Sequence, residues 1–241
     1  MSFISDNNIP LGIAIKKGLI NNFSGIQKFG FNPAVSTTEE SIVSQGGSYT
    51  YISTTGTAVV TSSNTGADNG GTVLIDGLDN DYNQVSETAT IGGSATTQTF
   101  KRINRATLIT ANTGTSNSGN ISITVDSTTA GYMPIGYAQT LQSVYTVPAK
   151  HHAYLVQLDA GTDEKEKPIH MVIKTRDNTV TNSAFQTKTY LVFENTRTEH
   201  KFDIPEVLTE KTDIELRAKS PEGEVEVSGG FELVLEKVDQ S

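Results

Sequence analysis

The last thirty residues include TDIELRAKS (Thr212–Ser220) and, after a short Pro- and Gly-containing turn, EVEVSGGFELVLE (Glu224–Glu236). In the first piece Ile214, Leu216 and Ala218 alternate with Asp213, Glu215 and Arg217. A period of two means a strand with one buried and one wet face. The second piece is apolar at Val225 and Val227, then at Phe231, Leu233 and Leu235. Gly229 and Gly230 stand where the period is read as slipping, which predicts a bulge or sharp bend. Alternation of this kind belongs to antiparallel sheet with one solvated face.

Upstream the same signature repeats. SVYTV, AYLVQLD, PIHMVIKTR, FQTKTYLVFE and HKFDI are candidate strands, and IPEVLTEK (Ile204–Lys211) reads as a loop or a short helical turn. Between Gln45 and Tyr145 the strands are shorter and richer in Thr: SYTYIST (Ser48–Thr54), GTAVVTSS, GTVLIDGLD (Gly71–Asp79), QVSETATIGG (Gln84–Gly93), TQTFKRI, ATLIT and NISITVD. Turn clusters such as NTGADNGG and NTGTSNSGN separate them. Short strands with regularly spaced turns indicate sandwiches or small barrels. The expected fold is therefore all-β, built of antiparallel β-sandwich or jelly-roll-like units. Thr at about one residue in seven and 21 Gly suit many strands and tight turns.

The charge distribution divides the chain. Nine charged residues fall between Ser41 and Ala149, and thirty between Lys150 and Ser241. Such a shift predicts two units, residues 36–145 and residues 146–241. Residues 1–35 resemble neither. Pro10, Gly12, Gly18, Gly25 and Gly30 break any helical period. Ile13, Ile15, Leu19, Ile20, Phe23, Phe29 and Phe31 are too apolar for a free tail. They read as an extended N-terminal arm that binds a partner, with a strand packed on its own domain as the alternative.

Composition narrows the function. The chain has no Cys and no Trp, so disulfides, thiolate metal sites and a Cys nucleophile are excluded. A net charge of −9 disfavours nucleic acid and anionic membranes as partners. No apolar run is long enough for a membrane span, and the start lacks the pattern of a secretory leader. No GxSxG, HExxH, P-loop or GxGxxG motif is present. His151, His152, His170 and His200 read as structural. No cofactor is expected. In DGLDNDYN (Asp76–Asn83), Asp79, Asp81 and Asn83 have the spacing of early calcium-loop ligands, and Asp76 lies close by. Gln84 and Thr90 stand where such a loop needs Gly and Glu, which favours a polar hairpin turn over a metal site at Asp76, Asp79 and Asp81. KRINR (Lys101–Arg105) is the basic cluster of the uncharged half and is expected to meet an acidic patch on a partner subunit.

Several segments together resemble a family of tailed-bacteriophage virion structural proteins of the cyanophage type. They are QKFGFNP (Gln27–Pro33), SQGGSYTYIS (Ser44–Ser53), VLIDGLDNDYNQVSETATIGG (Val73–Gly93), TFKRINRA (Thr99–Ala106), LQSVYTVPAKHHAYL (Leu141–Leu155), FQTKTYLVFEN (Phe185–Asn195) and IPEVLTEKTDIELRAKS (Ile204–Ser220). The resemblance implies a non-enzymatic β-sandwich subunit, made in the bacterial cytoplasm and assembled on the particle. The expected role is a decoration or cement protein that binds the major capsid protein, or other virion proteins, as a homo-oligomer, with a trimer as the first guess. A neck or tail position and a carbohydrate-binding host-recognition module are the alternatives. Paired-carboxylate glycoside hydrolysis is a remoter one.

Overall fold

The computed structural model describes residues 9–164, 166–194 and 197–238. Sixteen strands and two short helices are assigned among them. In chain order they are α1 (Leu11–Lys16), β1 (Phe23–Val35), β2 (Glu40–Ser41), β3 (Gly56–Ser62), α2 (Thr65–Asp68), β4 (Thr72–Leu78), β5 (Gln84–Thr90), β6 (Thr99–Phe100) and β7 (Arg102–Thr110). There follow β8 (Ile121–Val125), β9 (Thr128–Met133), β10 (Val144–Thr146), β11 (His151–Thr162), β12 (Ile169–Asp177), β13 (Gln186–Phe193), β14 (Arg197–Leu208), β15 (Thr212–Lys219) and β16 (Val225–Lys237). The protein is all-β, and every strand pairing is antiparallel.

The strands form two sandwiches, one inserted into the other. In the outer sandwich the sheet β1-β16-β11-β14 faces β10-β15-β12-β13. Its core includes Leu155, Met171, Ile173, Ile214, Leu216, Phe231 and Leu233, from both sheets. In the inserted sandwich β6-β3-β8-β9 faces β5-β4-β7. Its core gathers Val60, Val73, Ile75, Phe100, Ile103, Ile121 and Ile123. The chain leaves the outer sandwich after β2 and returns at β10. Both strands lie along the same edge of β15, Ser41 opposite Arg217 and Val144 opposite Glu215. Val43 bridges to Gln142 where the chain departs and comes back. The boundary expected between residues 145 and 146 thus falls inside β10, and residues 23–43 belong with the C-terminal half.

Residues 1–8 of the expected arm lie outside the described residues. From Phe23 onward the segment is β1, an edge strand paired with β16 from Phe23 opposite Glu236 to Val35 opposite Val225. The reason is visible in the sequence: Ile26, Lys28, Gly30 and Asn32 alternate inward opposite Leu233, Phe231, Gly229 and Val227. Ahead of it, α1 buries Ala14 and Ile15.

Four further expectations are corrected by packing. Gly229 and Gly230 make no bulge. Val225, Val227, Gly229, Phe231, Leu233 and Leu235 keep one unbroken period. Gly229 takes an inward position where a Cβ would stand 2.8 Å from Leu216 Cδ2. The register shift instead lies opposite, between Leu155 and Gln157 of β11. Ile204–Leu208 is strand, the end of β14. Pro205 is tolerated there because β14 is an edge strand and residues 202–205 bulge out between Lys201 and Glu206. Ser48–Thr54 is not a strand; its tyrosines are used elsewhere, as described below. Conversely β9 was not anticipated. It returns from β8 through Asp126 (φ 44°) and Ser127 (φ 62°), a two-residue turn made without the usual Asn-Gly pair.

The polar turns of the inserted sandwich are anchored from within. Buried Asp68 accepts the Ser62 hydroxyl at 2.5 Å and the Ser118 and Gly119 amides at 2.8 Å each. At Gly77, where β4 and β7 shift register, a Cβ would come within 2.2 Å of the Arg102 carbonyl oxygen. Only glycine fits that approach.

Candidate functional site

The face of β15 expected to be wet is fully buried at Asp213 and Glu215. The inserted sandwich lies over them, and the joint between the two sandwiches is built on their carboxylates.

Asp213 is shared by two arginines. Its Oδ1 accepts Arg102 Nε at 2.9 Å and Thr146 Oγ1 at 2.6 Å. Its Oδ2 accepts Arg102 Nη2 at 3.1 Å and Arg176 Nη2 at 2.6 Å. Arg102 comes from β7 of the inserted sandwich, whereas Arg176 and Asp213 belong to the outer one. Burial pushes the Asp213 carboxyl up, but the Arg102 charge, the Arg102 hydrogen bonds and those of Thr146 and Arg176 outweigh it and hold the pKa below the ordinary carboxylate value.

Aromatic rings enclose the guanidinium groups. Arg102 lies over Tyr51 at 4.9 Å and Tyr82 at 5.5 Å. Arg176 lies 4.6 Å from the Tyr51 ring and 4.5 Å from Phe185. Tyr49 meets Tyr51 edge-on at 4.9 Å and donates its hydroxyl to the Ala130 carbonyl of β9. SYTYIS is therefore a connector whose two tyrosines wall the joint. Desolvation weakens both phenols as acids: Tyr49 and Tyr51 have pKa values above the ordinary tyrosine value.

Glu215 is balanced differently. It accepts Ser41 Oγ at 3.2 Å and is held by Arg217, which also reaches Glu39 at 3.3 Å. Burial is the dominant effect, so its carboxyl stands above the ordinary value despite Arg217 and Ser41. Two cations serve Asp213 and one serves Glu215, which accounts for the opposite directions.

The rest of KRINR also makes contacts within its own chain. Lys101 donates to the Ser53 carbonyl at 2.5 Å, and Arg105 Nη2 donates to the Gln27 carbonyl of β1 at 2.8 Å. Strict alternation fails here because Asp76 faces Arg105 while Gly77 faces Ile103, which leaves Asn104 as the extra residue. Asn104 pairs with the Thr146 backbone in both directions, accepting from the amide at 3.1 Å and donating to the carbonyl at 3.4 Å.

The seven partner-binding candidates do not form one surface. Ile15 is buried, Ile13, Leu19 and Phe29 are exposed, and Ile20, Phe23 and Phe31 are half-buried. Phe31 packs against Tyr137 at 5.8 Å. Asp76, Asp79 and Asp81 are likewise not gathered. Asp76 sits on β4 opposite Arg105, and Asp79 accepts the Asp81 and Asn83 amides at 2.8 and 2.9 Å within the β4–β5 turn. Among the described residues no group of three or more His, Asp or Glu side chains is placed to hold a metal ion. The histidines are dispersed: His151 contacts the Ala149 carbonyl, His170 the Tyr190 hydroxyl, and His200 the Phe202 ring. No helix among the described residues is long and apolar enough to cross a membrane.

Exposed apolar side chains on two edge strands escaped the sequence reading. Tyr190 and Val192 on β13 and Ile204 and Val207 on β14 are all more than half exposed. Both are edge strands, and Lys188 and Glu206 tie them together at 2.7 Å. The signal was YLVF (Tyr190–Phe193), four apolar residues in succession where one solvated face would require alternation. Leu191 and Phe193 fill the inward places, which leaves Tyr190 and Val192 outside.

No protein-family model matches the sequence, and no curated protein matches it.

Proposed function

We propose that the protein is a structural subunit of a tailed-phage virion, a decoration protein that binds the exterior of the head and acts by binding, not catalysis. The observation that carries this reading is the exposure of large apolar side chains on two open sheet edges. Tyr190, Val192, Ile204 and Val207 stand in water next to unpaired backbone, a surface suited to a protein partner. The joint supports it: Asp213 is saturated by hydrogen bonds that hold the two sandwiches together, so the buried charges serve rigidity. The resemblance of seven segments to virion structural proteins points the same way. In this reading the chain is made in the bacterial cytoplasm and is incorporated, as a homo-oligomer, into particles built of the major capsid protein.

The test is quantitative gel densitometry of purified particles against the major capsid protein, together with antibody labelling in electron micrographs. Abundant label spread over the head is the expected result. Label confined to the neck or tail would move the subunit to that position. Absence from particles would overturn the structural reading and turn attention to glycan-array binding.

A further inference from the structure

A cleft lies between β1 with α1 and the edge of the inserted sandwich. Its volume is about 550 Å³, and its walls come from α1, β1, β4, β5, β7 and β10. Three cations line it: Lys16, Lys28 and Arg105. Asp76 is the lining carboxylate. In a chain of net charge −9 this is a local reversal of sign. None of the three cations forms an ion pair among the described residues. Each instead donates to a backbone carbonyl: Lys16 to Gly25, Lys28 to Asn104 and Arg105 to Gln27.

Lys28 is the informative member. It points inward from β1 opposite Phe231 and is only 3% exposed. An ammonium carries three donors, and among the described residues Asn104 takes one. A buried cation with unused donors and no paired carboxylate is costly unless something fills the site. Burial first and the Arg105 charge second lower the Lys28 pKa to about 7, with Asp76 opposing them. An arriving anion would offset that depression by its charge. The size of the cleft suits a small molecule, and Phe29, Ile26 and Val85 offer it apolar walls.

We propose that this cleft binds a small doubly charged oxyanion, a dicarboxylate or a phosphate monoester, between Lys16, Lys28 and Arg105. The site goes beyond the virion reading and is independent of it. The anion accepts from the free Lys28 donors and from the Arg105 guanidinium, with Lys16 closing the mouth from α1. Binding takes up a proton above pH 7, because Lys28 must be charged to hold the ligand.

Isothermal titration calorimetry of the full chain with succinate and, separately, with inorganic phosphate tests this. Saturable binding of at least one is expected, and comparison of the two identifies the preferred oxyanion. For succinate, which is predominantly doubly charged throughout, affinity should fall as the pH is raised from about 6 to about 9, where Lys28 is neutral. Lys28→Met and Arg105→Gln should each weaken binding by roughly tenfold or more, the loss of a charge-assisted hydrogen bond. Thermal melts establish that each variant is folded, and Arg105→Gln carries the test if Lys28→Met is not. The absence of binding by both probes, affinity unchanged in the folded variants, or succinate affinity independent of pH would overturn the assignment.

Discussion

Asp213 and Lys28 show how differently two buried charges can sit in one protein. Asp213 has two guanidinium partners, so replacing it leaves Arg102 and Arg176 without a counter-charge. Asp213→Asn is expected to cost about 3–5 kcal/mol in denaturant unfolding. Because its folded pKa lies below the ordinary value of 3.8, its contribution is complete above that pH and is lost as pH falls through the folded value. Lys28 acts in the opposite sense. Between its folded pKa of about 7 and its ordinary value of 10.5 the unfolded chain holds a proton that the folded chain does not. Its contribution therefore makes stability rise with pH across that window. Lys28→Met should abolish this rise and stabilise the protein below pH 7 by an amount on the order of a few kcal/mol, read from melts at several pH values. The buried phenols of Tyr49, Tyr51 and Tyr145, all raised, impose a fall in stability at still higher pH.

Among the elements, β1 and β14 carry the clearest consequences. Removing residues 1–33 would strip β16 of its neighbour and uncover Phe231 and Leu233, so loss of the outer sandwich is expected, seen as aggregation or a collapse of the melting transition. A cut after residue 20 spares β1 and tests whether Ile13 and Leu19 contribute to particle binding, co-sedimentation with particles being the readout. On β14, Ile204→Lys with Val207→Lys should change folding stability by only about 0.5 kcal/mol, as for exposed sites, while weakening binding to particles in a co-sedimentation assay if these residues dock there. Strand positions were largely legible, because Val, Ile and Leu alternate wherever a sheet has one open face. What could not be read was which polar face stays wet. TDIELRAKS looks like any half-exposed strand, and only the inserted sandwich lying on it turns Asp213 and Glu215 into buried groups. Of the two arginines that neutralise Asp213, Arg102 is 111 residues away in sequence and Arg176 is 37 away, both beyond the reach of any local pattern.

At the scale of the whole molecule, the joint couples two cores that each resemble a complete domain. Calorimetry should show one cooperative transition for the native chain. Arg102→Leu removes the inserted sandwich's hold on Asp213 and should split it into two. The charge contrast along the sequence could not reveal that one sandwich interrupts the other, since β1 and β2 belong to the outer sandwich yet precede the insertion. The connecting strands return to within hydrogen-bonding reach of each other, Ser44 donating to the Leu141 carbonyl at 3.1 Å. A segment whose two ends meet at its base behaves as a cassette: it can be exchanged for a different module without stretching the platform beneath it. The platform sets a condition on that exchange. Any replacement must present a cation where Arg102 now reaches, or Asp213 is left with Arg176 alone beneath the new module.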